Sequence, residues 1–218
     1  WSSEEISEIL RDELLARGID VIDIGVVTTP LFTFAMAQSK AAGGIMVTAS
    51  HNSIRFNGLK IYDGLETASE KTGFKEIKNI ILDGLASYSG QKGRFEKKDF
   101  LNEYLEFLLK QVRLRRKIKA IFDAGGGAVG LVLPKLLKAL DKIESEVLFL
   151  KPDPSLSGRN PNPLLPEAQK KIKEMILTGG KLTSKKGYQF YSPSVAEGLT
   201  FEQAKIKLKS EEQRISRE

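Results

Sequence analysis

Apolar residues recur at helical spacing over positions 3–17, as Ile6, Ile9, Leu10, Leu14 and Leu15, so the chain opens with an amphipathic helix. Ser3 suits its N-cap, Glu4 and Glu5 suit the positive end of its dipole, and Gly18 ends it. Positions 20–27 are rich in β-branched residues and read as a strand, after which Thr28-Thr29-Pro30 starts the next loop. A second helix is expected over 31–41, running out at Gly43-Gly44, and Ile45-Met46-Val47 then reads as a short buried strand. Residues 59–62 return as a strand, 71–85 form a helix with lysines on its outer face, and 87–93 are a turn-rich break. Over 99–112, Phe100, Leu101, Tyr104, Leu105, Leu108 and Leu109 make a helical stripe, which reads as core packing rather than as a ligand box.

The same alternation starts again at Lys117. A strand over 118–122, a glycine-rich turn over 123–127, a helix over 129–140 and a strand over 146–150 lead into a loop over 152–166 and a helix over 167–177. The pattern predicts an α/β chain with mixed or parallel, largely parallel, sheets flanked by helices. Two units are expected, 1–116 and 117–177, connected through the helix 99–112. Residues 178–218 belong to neither: they are rich in glycine, lysine and serine, then form a charged helix over 200–217 with Thr200 and Gln203 as a capping box.

Composition narrows the functions available. With 218 residues and 41% hydrophobic content, the chain can bury the core of one or two domains. Cysteine is absent, which excludes disulfides and thiolate metal sites. The formal charge of +6 permits a polyanionic partner without requiring one. The densest basic run, Arg113-Leu114-Arg115-Arg116-Lys117, has no RNA-binding aromatic motif, zinc-finger spacing or basic zipper with it, so it reads as a solvated segment leading into a strand, and no nucleic-acid partner is expected. The polar start does not resemble a signal peptide and no apolar run approaches a membrane span, so the expectation is a cytoplasmic protein with no membrane partner.

Candidate chemistry gathers at Thr48-Ala49-Ser50-His51-Asn52 and Asn57-Gly58-Leu59-Lys60, directly after the strand over 43–47. In open α/β sheets, ligands sit beyond the carboxyl ends of strands. A hydroxyl, the chain's one imidazole, an amide and an ammonium therefore emerge where chemistry is usually placed. This stretch resembles the active-site serine loop of the α-D-phosphohexomutases, the phosphomannomutase/phosphoglucomutase group in particular. Gly43 to Asn52 follows their pattern residue for residue, Asn57, Gly58 and Lys60 fall at its spacing, and Ser53 replaces the usual proline. The second unit resembles their second domain more loosely, through its Asp-x-Gly-x-Gly turn at Asp123 and its Arg-x-Pro-Asn-Pro loop at Arg159.

The resemblance implies an intramolecular phosphotransferase that interconverts hexose 1-phosphate and hexose 6-phosphate, with a hexose 1,6-bisphosphate as intermediate and activator. Ser50 would carry the phosphoryl group, since an unassisted serine hydroxyl is a weak nucleophile and phosphorylation makes it a donor. Lys60 would be the general acid/base for the sugar hydroxyl, and His51 a further catalytic group in contact with the phosphate. Thr48, Asn52 and Asn57 would bind phosphate or sugar. Mg²⁺ is implied too, but the family's three-aspartate loop has no counterpart, since no Asp-x-Asp-x-Asp occurs in the chain. The metal would touch only a phosphate oxygen on Ser50. The family's opening strand with its phosphate-binding arginine and its third and fourth domains have no counterpart either, so the chain is expected to be an N-terminal, two-domain piece, weak or inactive alone.

Two other readings compete. Gly125-Gly126-Gly127-Ala128-Val129-Gly130 matches G-x-G-x-x-G between a strand and a helix, with Asp153 near the place of a ribose-binding acid, which points to an NAD-type oxidoreductase. The plainer reading is a tight turn that allows close helix–sheet packing. The other is a non-catalytic, phosphosugar-binding remnant. A serine hydrolase is disfavoured, because Ser50 lacks a G-x-S-x-G elbow and the sole histidine is its immediate neighbour.

Overall fold

A computed structural model describes residues 2–156 and 159–177. The expected charged helix over 200–217 and the rest of 178–218 lie outside the described residues. The chain divides into two compact units, the first Trp1–Leu108 and the second from Leu109 on.

In the first unit, α1 (Ser2–Ala16) leads to β1 (Val21–Asp23), α2 (Thr29–Ser39), β2 (Gly43–Val47), β3 (Leu59–Asp63), β4 (Glu66–Thr67), α3 (Phe74–Asp83) and β5 (Phe95–Lys97). The division falls within α4 (Leu101–Gln111). The core joins α2 to the sheet: Phe32, Met36 and Tyr62 are buried, with Ile24, Val27 and Met46 packed against them. The Phe32 and Tyr62 rings lie 5.3 Å apart at a tilt, a favourable aromatic arrangement. Gly44 lets α2 pack closely on β2, because a Cβ there would stand 2.7 Å from both Met36 Sδ and the Phe32 ring.

Several elements differ from expectation. Thr28-Thr29-Pro30 caps and begins α2 rather than forming a loop: the Thr28 hydroxyl accepts from Leu31 N–H at 3.4 Å, and proline is at home in a first helical turn. β1 stops at Asp23, where the carboxylate accepts from the Gly25 amide at 2.8 Å and substitutes a local turn for the ladder. The sheet around the serine loop is antiparallel, in the order β2-β3-β4, with Val47 opposite Leu59 and Gly43 opposite Asp63. Parallel pairing joins β1 to β5 and, in the second unit, residues 118–123 to 143–148. β4 and β5 were not expected: β4 is two residues long, and β5 is exposed along its length with no apolar alternation. The turn at Gly64-Leu65 between β3 and β4 is the one available signal, a two-residue hairpin loop with glycine first.

In the second unit, β6 (Ile118–Asp123), α5 (Val129–Ala139), β7 (Ile143–Leu148) and α6 (Pro166–Leu177) make a strand–helix–strand unit followed by a helix. β7 sits earlier than expected, because the register runs from Ile118 opposite Ile143 to Asp123 opposite Leu148 and Phe149 leaves with φ 49°. No helix of the described residues is long and apolar enough to cross a membrane.

Candidate active site

The six candidate residues of the first unit lie on a single hairpin. Beyond the last β2–β3 pair, the Thr48 amide donates to Gly58 O at 2.8 Å, so the excursion from the sheet is confined to residues 49–57. The Asn52 amide closes a tight turn on Ala49 O at 3.0 Å, with Ser50 and His51 at its middle. Ser50 has φ 54°, and its amide donates to Thr48 Oγ1 at 3.0 Å, which holds that unusual backbone. A second turn follows, the Phe56 amide donating to Ser53 O at 2.9 Å, and the latter is the residue that stands where the resemblance expects proline.

Ser50, His51 and Asn52 are exposed at the carboxyl end of β2, whereas Thr48, Asn57 and Lys60 are half-buried. Asn57 faces the start of α1: its Nδ2 donates to Ser2 Oγ at 3.0 Å and Ser3 Oγ at 2.9 Å, and its Oδ1 accepts from the Gly58 amide at 2.9 Å. Lys60 is the second residue of β3, directly opposite Met46, whose sulfur accepts from the Thr29 hydroxyl at 3.5 Å. The hairpin thus brings Ser50, His51 and Asn52 onto one exposed turn and sets Lys60 on the adjoining strand. Ser2 and Ser3 were not singled out as site residues, since their only link to the loop is a pair of hydrogen bonds across 55 and 54 positions.

A fixed, exposed hydroxyl can take a phosphoryl group, and the neighbouring imidazole, amide and ammonium are suitable partners for its oxygens. The described residues do not fit the implied Mg²⁺, because among them no group of three or more His, Asp or Glu side chains could hold a metal ion.

The glycine-rich turn of the second unit is occupied by its own chain. The Gly126 amide donates to Phe149 O at 2.9 Å and Gly126 O accepts from the Asp153 amide at 2.8 Å. A Cβ on Gly126 would stand 3.6 Å from Asp153 Cβ, and one on Gly130 would run into Leu150 O. Close strand–helix approach therefore accounts for Gly130, and the segment that follows β7 lies over the turn where a pyrophosphate would have to approach. Asp153 itself accepts from the Ser155 amide and hydroxyl at 2.9 and 2.6 Å. The dinucleotide reading finds no support in this geometry.

Mixed α/β units make up a broad class of folds that hosts many chemistries, and known proteins narrow it. Residues 1–86 match the phosphoglucomutase/phosphomannomutase alpha/beta/alpha domain I. A phosphoglucomutase of Neisseria meningitidis is 34% identical over 167 residues, 76% of this chain and 36% of the relative. A phosphomannomutase of Vibrio cholerae is 33% identical, over 77% of this chain and 38% of the relative. The crystal structure of a phosphoglucomutase/phosphomannomutase family protein from Burkholderia thailandensis superposes with a TM-score of 0.69 at 29% identity, covering 80% of this chain and 39% of that one. Residues 1–86 carry the first domain of the phosphohexomutase family, and the likeness to its members extends over about three quarters of the chain. The chain spans little more than a third of the length of the curated relatives it matches, 36% to 38% for these two.

Proposed function

We propose that this chain supplies the phosphoryl-carrying serine of a hexose phosphate mutase. The observation that supports this best is Ser50, exposed at the end of β2 and held by Thr48 in a left-handed backbone within a closed turn. In the forward half-reaction the bond between phosphorus and Ser50 Oγ breaks and a new one forms to a sugar hydroxyl oxygen. The proton of that hydroxyl leaves to Lys60, and a proton from solvent or a neighbouring acid reaches Ser50 Oγ. The reverse step on the other phosphate of the resulting hexose 1,6-bisphosphate restores phosphoserine. Positioning and charge neutralisation dominate such transfers, which is the work assigned to His51 and Asn52. Mg²⁺ has no carboxylate cage among the described residues. The substrate class is a hexose phosphate; relatives named for glucose and for mannose leave the sugar open.

The chain incubated with a hexose 1,6-bisphosphate and mapped by tandem mass spectrometry is expected to carry one phosphate, on Ser50, and the Ser50→Ala chain none. Phosphate on another residue, or on none, overturns the proposal. The second reading, a phosphosugar-binding protein without transfer, is favoured by the lack of a metal cluster among the described residues. Saturable binding of hexose phosphate with no labelling of Ser50 would establish it.

A further inference from the structure

We infer that Asn57 is not a phosphate ligand but a positioning residue, which ties the serine loop to the first turn of α1. This rests on the phosphoserine reading of Ser50. An asparagine side chain offers two N–H donors and one carbonyl oxygen. Here both donors go to hydroxyls, Ser2 Oγ at 3.0 Å and Ser3 Oγ at 2.9 Å, and the oxygen takes the Gly58 amide at 2.9 Å. No donor is left over for a phosphate.

The bonds continue toward the reacting residue. Gly58 O accepts the Thr48 amide at 2.8 Å, and Thr48 Oγ1 accepts the Ser50 amide at 3.0 Å. A single run of hydrogen bonds therefore leads from Ser2 and Ser3 through Asn57, Gly58 and Thr48 to the Ser50 backbone. α1 lies against both β1 and β2 and so gives the run its fixed end in the sheet. Residues 50–56 are all exposed, and Asn57 is where the loop returns to cover. Apart from its two tight turns, nothing described holds the excursion so directly. Thr48 contributes to positioning as well, its hydroxyl oxygen accepting the Ser50 amide, which leaves its O–H able to donate to a phosphate.

The test is the rate of phosphate incorporation at Ser50 from hexose 1,6-bisphosphate, measured across donor concentration. Asn57→Ala is expected to lower the saturated rate on the order of tenfold, as misplacement of a reacting group does, and to leave the half-saturating concentration unchanged. Ser2→Ala with Ser3→Ala should lower the rate by no more than Asn57→Ala, which also frees the Gly58 amide, and all three substitutions together should cost no more than Asn57→Ala alone, because that change already breaks both links to the serines. Asn57→Asp should recover most of the rate: its carboxylate still accepts from the Gly58 amide, and the two serine hydroxyls, which accept from Asn57, can rotate to donate to it instead, whereas a phosphate ligand would be made repulsive. A rise in half-saturating concentration alone, an unaffected Ser2→Ala/Ser3→Ala chain, or no recovery with Asn57→Asp overturns the inference. Absence of labelling in the unsubstituted chain strikes the phosphoserine reading alone. The tether is then read from the Asn57 side-chain amide resonances in NMR. Ser2→Ala/Ser3→Ala should move them, and unmoved resonances refute it.

Discussion

Arg159 donates to both carboxylate oxygens of Asp123, at 2.7 and 2.6 Å, and to Ala168 O at 2.7 Å, while its guanidinium lies 4.2 Å from the Phe149 ring centroid. The two charged side chains are only 18% and 16% exposed, so the pair holds the end of β6, the 160s loop and the start of α6 together from within. Removing one partner leaves a sheltered charge unpaired. Arg159→Met is expected to cost about 3 kcal/mol, read as a lower urea midpoint at unchanged slope. Arg159→Lys should recover little, since an ammonium cannot reproduce the two-pronged bond. In the sequence, Asp123 and Arg159 stood out only as members of two separate short motifs. Their pairing across 36 positions leaves no trace in local pattern. Ser50, His51, Asn52 and Lys60 were legible for the opposite reason: their chemistry is contiguous in the chain. The partners of Asn57 were not, because two serine hydroxyls at the head of a helix look like ordinary capping residues.

Among the elements, helices are the most legible, because an apolar stripe repeats over ten or more residues, and α5 and α6 fall within a residue or so of expectation. Short strands were read poorly. β5 has no buried position and pairs with β1, Val21 opposite Phe95 and Asp23 opposite Lys97. Its entry is secured by Asp20, which accepts from the Arg94 amide at 2.7 Å and from its guanidinium at 2.6 and 3.0 Å. Chiefly through the guanidinium hydrogen bonds, then the backbone one, Asp20 is held below the usual carboxylate range. A lowered folded-state pKa adds stability that is full above the unfolded-state pKa and is lost as pH falls through the folded one. Arg94→Gln should therefore unfold at slightly lower urea than the parent at neutral pH. The gap should close as acid protonates Asp20 in both chains, and a gap that persists in strong acid would show that charge is not its source. The effect is small because both side chains are largely solvated, at 52% and 90% exposure.

At the scale of the whole molecule, the family was legible and the connectivity of the sheet was not, since hairpin and crossover pairing depend on partners that periodicity does not name. The donor loop lies within a chain whose described residues offer no acidic cluster for a metal and whose sequence contains no Asp-x-Asp-x-Asp. Full turnover needs neutralisation of the moving phosphoryl group. The 218-residue chain is expected to show little or no conversion of hexose 1-phosphate to hexose 6-phosphate in a coupled assay, even where Ser50 takes up phosphate once. Family-like turnover would require carboxylates outside the residues described here. The positive φ of Ser50 also bears on how this protein can change over generations. Threonine carries the same hydroxyl and is as competent an alcohol, yet a β-branched side chain resists a left-handed backbone. Drift between the two alcohols is closed at position 50 by the shape of the main chain, whatever the chemistry would tolerate.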